Sequence, residues 1–446
     1  METVLIGGRL IDGTGQEPQQ HVGLVIKDGL IQQVDRDDRL SHAAGARIID
    51  VEGRTIMPGL IDSHTHLTYH AQQLDLWQLE LQESVELNAI KASLNALRVL
   101  EMGFTTIGDG GCRGFIGPAV RDAVNQGLVL GPRIVATGPI LCGSAGLQDN
   151  MPAWMELESD AALGMIVNGP TEVRRAVRRQ IKGGVDWIKV SASGVAGSRF
   201  SHAETEDLTY EEVVAAVQEA AKFGKKVHAH AHAREAIKTC ALAGVLSLHS
   251  AEYVDEEGLE LMRRHGVIFA PTIAWLHARG LPGYFLAKDP EFVVEARRAF
   301  ESAAAAVAHA REVGARIAIG TDAAHRFFHV PDGVLEMEFF VHLGYTPLEV
   351  ITAATKTAAE AIDRGDILGT LEPGKRGDVL IIDRDPAEDI RVLRDKRNIH
   401  RQLIDGLEVV LPGPRPNAGL DFDVREALGS HAVAASRVAT GDSVSP

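Results

Sequence analysis

Apolar residues are distributed along this chain in three regimes. Over residues 1–56 short apolar runs alternate with turn signals: Val4-Leu5-Ile6, then Asp12-Gly13-Thr14-Gly15, then Val22–Ile26 and Leu30–Val34 around Lys27-Asp28-Gly29. Two apolar runs flanking Asp-Gly predict a β-hairpin. From residue 57 short apolar strands alternate with helical stretches of period 3.6, the pattern of a parallel α/β array. Eight strands are predicted, at Thr55–Ile61, Phe104–Asp109, Arg133–Thr137, Trp187–Val190, Lys226–His230, Val245–His249, Val267–Ala270 and Arg316–Gly320. Helical periodicity is clearest over Val85–Glu101, Glu172–Gly183, Tyr210–Phe223 and Phe292–Val313.

β-signals return after residue 366, at Ile367–Thr370, Asp378–Ile382 and Ile404–Val410. The expected fold is α/β, a (β/α)8 TIM barrel over 57–365. Segments 1–56 and 366–412 are expected to pair into a small flanking β-sandwich, since neither alone can form a stable core. Residues 413–446, rich in Pro, Gly, Ala and Ser, read as a peripheral tail with a short helical possibility at Val424–Leu428.

Chemistry-bearing residues fall at the predicted C-terminal ends of these strands, the face on which barrel enzymes build their sites. Pro58-Gly59-Leu60-Ile61-Asp62-Ser63-His64-Thr65-His66 ends a buried strand in His-X-His, so both imidazoles point the same way and can share a zinc-like ion. Two polar caps at a strand end are the structural alternative. Lys189, near the end of the apolar Trp187–Val190 run, is either an ion-paired or snorkelling lysine or one converted by CO2 into an anionic carbamate. In Val227-His228-Ala229-His230-Ala231-His232 the three histidines share one face, which packing alone explains poorly. His249 follows on the next strand. Asp322, after Ile317–Thr321, is a metal ligand and proton shuttle or a helix cap.

Composition narrows the partners. The 446 residues carry a formal net charge of −16, which argues against nucleic acid. No apolar stretch is long enough to span a bilayer, so no membrane is expected. Met1–Gly8 shows neither a basic nor a long apolar leader region, and Cys112, Cys142 and Cys240 fit no disulfide or zinc spacing. A cytoplasmic setting is expected.

Taken together, these motifs resemble the amidohydrolase superfamily over nearly the whole chain. Asp12-Gly13-Thr14-Gly15 and Gly369-Thr370-Leu371-Glu372-Pro373-Gly374-Lys375-Arg376-Gly377-Asp378-Val379 look like its sandwich segments. The branch looks like the imidazolonepropionase-related dipeptidases, prolidases and ochratoxin-type amidases, with hydrolases of carbamates and phenylureas among similar sequences. The resemblance implies that His64, His66, His230 and Asp322 ligate divalent metal, zinc first among Zn, Co, Mn and Fe, and that a carboxylated Lys189 bridges two ions. It implies Asp322 as general base and His232 as a substrate-facing residue that binds the oxyanion. Arg199, His202, Trp275, His325 and Arg326 are pocket candidates on strand-following loops, with Arg199 and His325 expected to bind substrate.

Two departures stand out. Counting from Gly244, the strand-six ligand position holds Ser250, with His249 one place early. A one-residue slip turns a side chain across the sheet. Either a bulge returns His249 to the metal, as expected here, or the second ion is weakly held or absent. Leu141–Gly146 places Ala145 where relatives often carry His. The implied reaction is hydrolysis of an amide, N-acyl amino acid or dipeptide by water whose pKa falls from about 15.7 to near 7 on metal. A carbamate or phenylurea hydrolase is the alternative, followed by a ring deaminase and a catalytically dead scaffold. The expected partner is a small-molecule substrate, and the expected assembly a homo-oligomer.

Overall fold

The computed structural model describes residues 1–69, 76–155, 157, 160–281, 284, 286–323 and 333–412, so the tail expected at 413–446 lies outside the described residues. Four sheets are formed among them. Two are parallel. In one, Leu60–Thr65 pairs with Phe104–Asp109, which pairs with Arg133–Val135. In the other, Ile140–Cys142 lies between Gly164–Ile166 and Ile188–Ser191, and the run continues through Val227–Ala231 and Ser247–Ser250 to Ile268–Ala270.

Backbone bonds extend this pairing at each end. The Asp186 amide donates to the Ala136 carbonyl, beside Arg133–Val135. Parallel bridges join Phe269 to Ile317 and Thr65 to Ala323. Within the predicted strand Arg316–Gly320 only the Ile317 bridge forms, with the Phe269 amide donating to the Arg316 carbonyl and the Ala318 amide to the Phe269 carbonyl. Its backbone is shared between neighbours: the Ile319 amide donates to the Ala353 carbonyl, while the Ile319 carbonyl accepts from Ser63.

Sequence sets these elements directly. Val85–Glu101 forms the helix over the range its periodicity predicts, opened by Ser84, whose hydroxyl accepts from the Leu87 amide. Tyr210–Ala221 starts in a capping box in which Thr209 and Glu212 satisfy each other's backbone amides. The strand interiors and inward helix faces merge into one large apolar core.

The other two sheets come from the chain's two ends. One is ordered Leu30–Arg36, Val22–Lys27, Glu2–Ile6, Arg47–Asp50. In the other, Val379–Ile382 pairs on one side with Ile399–Ile404 and on the other with Thr55–Pro58. Both bury apolar side chains in a common cluster that includes Leu5, Leu24, Ile26, Ile56, Val379, Ile381 and Leu403.

Three sequence expectations are corrected. The run Thr55–Ile61 is not one strand: it divides at Gly59, whose amide donates to Asp378, so Thr55–Pro58 joins the small sheet and Leu60–Thr65 the parallel one. A side chain at Gly59 would collide with Thr105. Ile367–Thr370 is a turn, with Gly369 at φ +92°; its apolar residues are there to pack on Ala358, Ala359 and Ile362. The last strand comes earlier than Ile404–Val410, as Ile399–Ile404 followed by the short Leu407–Glu408.

Candidate metal centre

Asp62 fastens the two segments that carry the first site residues. Its buried carboxylate accepts from the His64 amide at 3.1 Å, the Thr321 amide at 3.1 Å and the Thr321 hydroxyl at 2.6 Å. Burial nevertheless pushes its pKa up to about 7. The His64 carbonyl accepts from the Asp322 amide at 2.8 Å, and Asp322 sits at φ +49°. Ser250, Ala251 and Thr272, at neighbouring strand ends, are also left-handed, at φ +76°, +50° and +53°. Such conformations cost on the order of 1–3 kcal/mol each and collect where a site dictates backbone shape.

The result brings His64, His66 and Asp322 together, with one potential ligand atom from each within 4.8 Å of the others. Asp322 Oδ1 lies 3.1 Å from Nε2 of His66 and 3.7 Å from Nε2 of His64. The other nitrogen of His66, Nδ1, is 2.8 Å from the Gly111 carbonyl. A carbonyl only accepts, so Nδ1 carries the proton, and in the neutral ring Nε2 turns its lone pair toward a carboxylate. Two acceptors at 3.1 Å require a proton or a cation between them. The His66 ring is further fixed by stacking on Tyr69, with centroids 4.0 Å apart. Gly110 makes room for His64: a Cβ there would lie under 3.0 Å from Cε1 and Nδ1 of that ring.

Lys189 is 1% exposed, and burial lowers its pKa to about 7, so a large neutral fraction is available at physiological pH. Its Nζ lies 2.9 Å from Nδ1 of His249. Burial also holds His64, His228, His230 and His249 well below the usual histidine range, which favours their neutral imidazole forms.

No bulge returns His249 to the site. Parallel pairing runs through His228↔Ser247 and His230↔His249 without a register shift, so His249 faces inward in phase with its neighbours. Its ring centroid is 4.0 Å from that of His64. Ser250 meets Thr272, hydroxyl to hydroxyl, at 3.3 Å. His230 belongs to neither three-residue group of potential ligands found among the described residues. Its Nε2 is buried without a partner, and its ring meets that of His232 edge-on at 4.3 Å.

Sequence reasoning did not select two members of this neighbourhood. His228 joins His64 and His249 in the second three-residue group; its face-sharing with His230 was legible, but not its depth. Glu252 is fully buried 3.3 Å from Nδ1 of His232. Burial opposes its charge, but His232 outweighs this and the carboxyl stays below its usual range. No periodic signal marks a loop carboxylate. Of the pocket candidates, Trp275 stacks over His232 with centroids 6.5 Å apart. Arg199 is exposed, donating to the Asn150 carbonyl with its guanidinium 5.2 Å from the Phe200 ring. His202 is exposed, and His325 and Arg326 lie outside the described residues.

Comparison with known proteins places this arrangement. The profile described as "Amidohydrolase family" matches residues 55–409. The chain belongs to the amidohydrolase family. It is an enzyme, a hydrolase of carbon–nitrogen bonds, as its relatives are. Ochratoxinase of Aspergillus niger is 31% identical over 424 residues, covering 89% of this chain and 84% of that protein. Imidazolonepropionase of Caldanaerobacter subterraneus subsp. tengcongensis is 25% identical over 394 residues, covering 82% of this chain and 85% of that protein. Among solved structures, a Xaa-Pro dipeptidase with bound methionine superposes with TM-score 0.82 at 31% identity, over 92% of this chain and 100% of the other. A. niger ochratoxinase superposes with TM-score 0.82 at 29% identity, over 93% and 97%. Among the described residues no helix is long and apolar enough to cross a membrane.

Proposed function

We propose that this amidohydrolase cleaves an amide bond of a small N-acyl amino acid, dipeptide or ochratoxin-like amide, with a divalent cation held by His64, His66, Asp322 and a carboxylated Lys189. The observation that carries the reading is the convergence of His64, His66 and Asp322, with one potential ligand atom from each within 4.8 Å of the others and Asp322 Oδ1 3.1 Å from Nε2 of His66. On this reading the parallel strands, extended by the Asp186–Ala136 bond and the bridges at Phe269 and Thr65, close into a (β/α)8 barrel. The two smaller sheets form a β-sandwich beside it.

The donor set suits zinc or a similar borderline ion: neutral imidazoles and a carboxylate, with further buried nitrogens unpaired. When bound, the ion supplies Lewis acidity, polarising a carbonyl and easing ionisation of water near neutral pH. The protein supplies the rest. Asp322, anchored through its own amide to the His64 carbonyl, accepts the proton of the attacking water and delivers it to the leaving nitrogen as the C–N bond breaks. His232, with Nδ1 3.3 Å from the Glu252 carboxylate, turns Nε2 to the substrate's carbonyl oxygen and donates to it, as charge develops there, when both ring nitrogens carry protons. Lys189, buried and only partly protonated near pH 7, has the free amine that reaction with CO2 requires.

A kinetic panel of N-acyl amino acids, dipeptides, carbamates and aryl ureas tests the assignment. Preference for the first two supports it. Faster turnover of carbamates or ureas would move the function to the alternative that Ser250 and Ala145 first raised, and release of ammonia from a ring would make the protein a deaminase.

A further inference from the structure

His228 is fully buried and neither of its ring nitrogens has a partner. Stacking on Trp187, with centroids 3.4 Å apart and planes within 8°, accounts for the face of the ring but not for its nitrogens. Each unmet buried polar group is destabilising, a cost that a ligand would remove.

The neighbours show what ligand chemistry fits. The Ser247 hydroxyl donates its one proton to the Ala361 carbonyl, so its 3.2 Å contact with Nε2 of His249 has the imidazole as donor. Nδ1 of His249 therefore presents a lone pair, now facing the Lys189 amine. A ring whose far nitrogen donates to a fixed acceptor is oriented as metal-ligating histidines usually are. One nitrogen each from His64, His228 and His249 lies within 4.8 Å of the other two. Bonds of about 2.0–2.1 Å to an ion would require the rings to draw in by on the order of an ångström.

We propose that His64, His228 and His249 form a second, inner seat for a borderline divalent cation such as Zn2+ or Co2+. His64 belongs to both groups, so the inner seat adjoins the outer one of His64, His66 and Asp322. The inner set is all nitrogen, which favours Zn2+, Co2+, Ni2+ or Cu2+ over Mg2+ or Ca2+. The inference extends the metal-dependent reading above and uses residues to which that reading gives no role, His228 first among them.

The test is cation retention rather than turnover. Metal-free Asp322→Asn protein is titrated with Co2+, followed by metal content after gel filtration and by X-ray absorption. The inner seat predicts close to one Co2+ per chain, with nitrogen-rich imidazole coordination, and at least a tenfold loss of affinity when His228→Gln is added. Absence of Co2+ from Asp322→Asn overturns the inner seat. Undiminished binding in the double variant does so too, with circular dichroism confirming that both variants are folded. Wild-type protein that binds no Co2+ would overturn both this inference and the metal-dependent hydrolase reading, whereas wild type that binds while Asp322→Asn does not would leave that reading standing.

Discussion

Replacing Gly110 by alanine perturbs the centre through a single methyl group. The new Cβ would lie under 3.0 Å from Cε1 and Nδ1 of His64 and 3.1 Å from Cε1 of His66, whereas ordinary contact begins at 3.4 Å. The His64 ring cannot yield freely, because it is buried with its centroid 4.0 Å from that of His249 and 5.0 Å from that of His66. The ring must therefore retreat by about an ångström or the strand must shift. Overpacking of this kind costs about 1–3 kcal/mol of stability. Misplacing a site group by 1 Å can cost about 100-fold in rate, equivalent to about 2.7 kcal/mol of transition-state stabilisation. The assay is kcat/KM on the best N-acyl amino acid or dipeptide substrate, with bound metal per chain and thermal unfolding measured on the same samples. The expected result is a folded protein with kcat/KM reduced about 100-fold and weakened metal binding. A Gly110→Ala enzyme with wild-type turnover and metal content would refute the claim that His64 is a positioned ligand.

The remaining predictions concern three buried groups. Lys189→Ala should lower kcat by at least about 100-fold, a loss of positioned charge at the centre, and wild type incubated with 13C-bicarbonate should show a carbamate carbon resonance that the variant lacks. Glu252→Ala should lower kcat/KM about 10–100-fold by freeing the His232 ring, with part of the loss restored in Glu252→Gln, as expected for a residue that orients a site group; equal, full activity in both would remove Glu252 from the account. Glu336 accepts from the Ile273 and Ala274 amides, yet burial pushes its pKa from 4.5 up to about 8. The folded state thus holds a proton that the unfolded state releases near pH 4.5, so wild type should lose stability relative to Glu336→Gln as pH rises from about 4.5 to about 8, by on the order of a few kcal/mol. Parallel denaturation curves at each pH check this, and an unchanged difference across that window would count against it.

Much of the centre could be read from the chain because strand geometry is periodic. His64 and His66 share a direction by the two-residue repeat, and Asp322 ends an apolar run that must be buried. Two features were less legible. The repeat gives the face of His228, His230 and His232 but not their depth, so His228 looked no more significant than its neighbours. Counting from Gly244 calls for a bulge at His249, whereas its register with His230 turns it inward without one. Glu252 and Asp62 act through loop and cross-segment contacts, at 3.3 Å to His232 and 2.6 Å to Thr321, which no local pattern encodes. Ile367–Thr370 misled for a related reason: apolar residues packing beneath a turn leave the same mark as a short buried strand.

The most direct test of the central claim is hydrolysis by the protein before and after its metal is stripped with a chelator and returned as Zn2+ or Co2+. The account predicts that cleavage of the best amide substrate disappears with the ion and comes back on addition of stoichiometric metal. Undiminished cleavage by metal-free protein would contradict it.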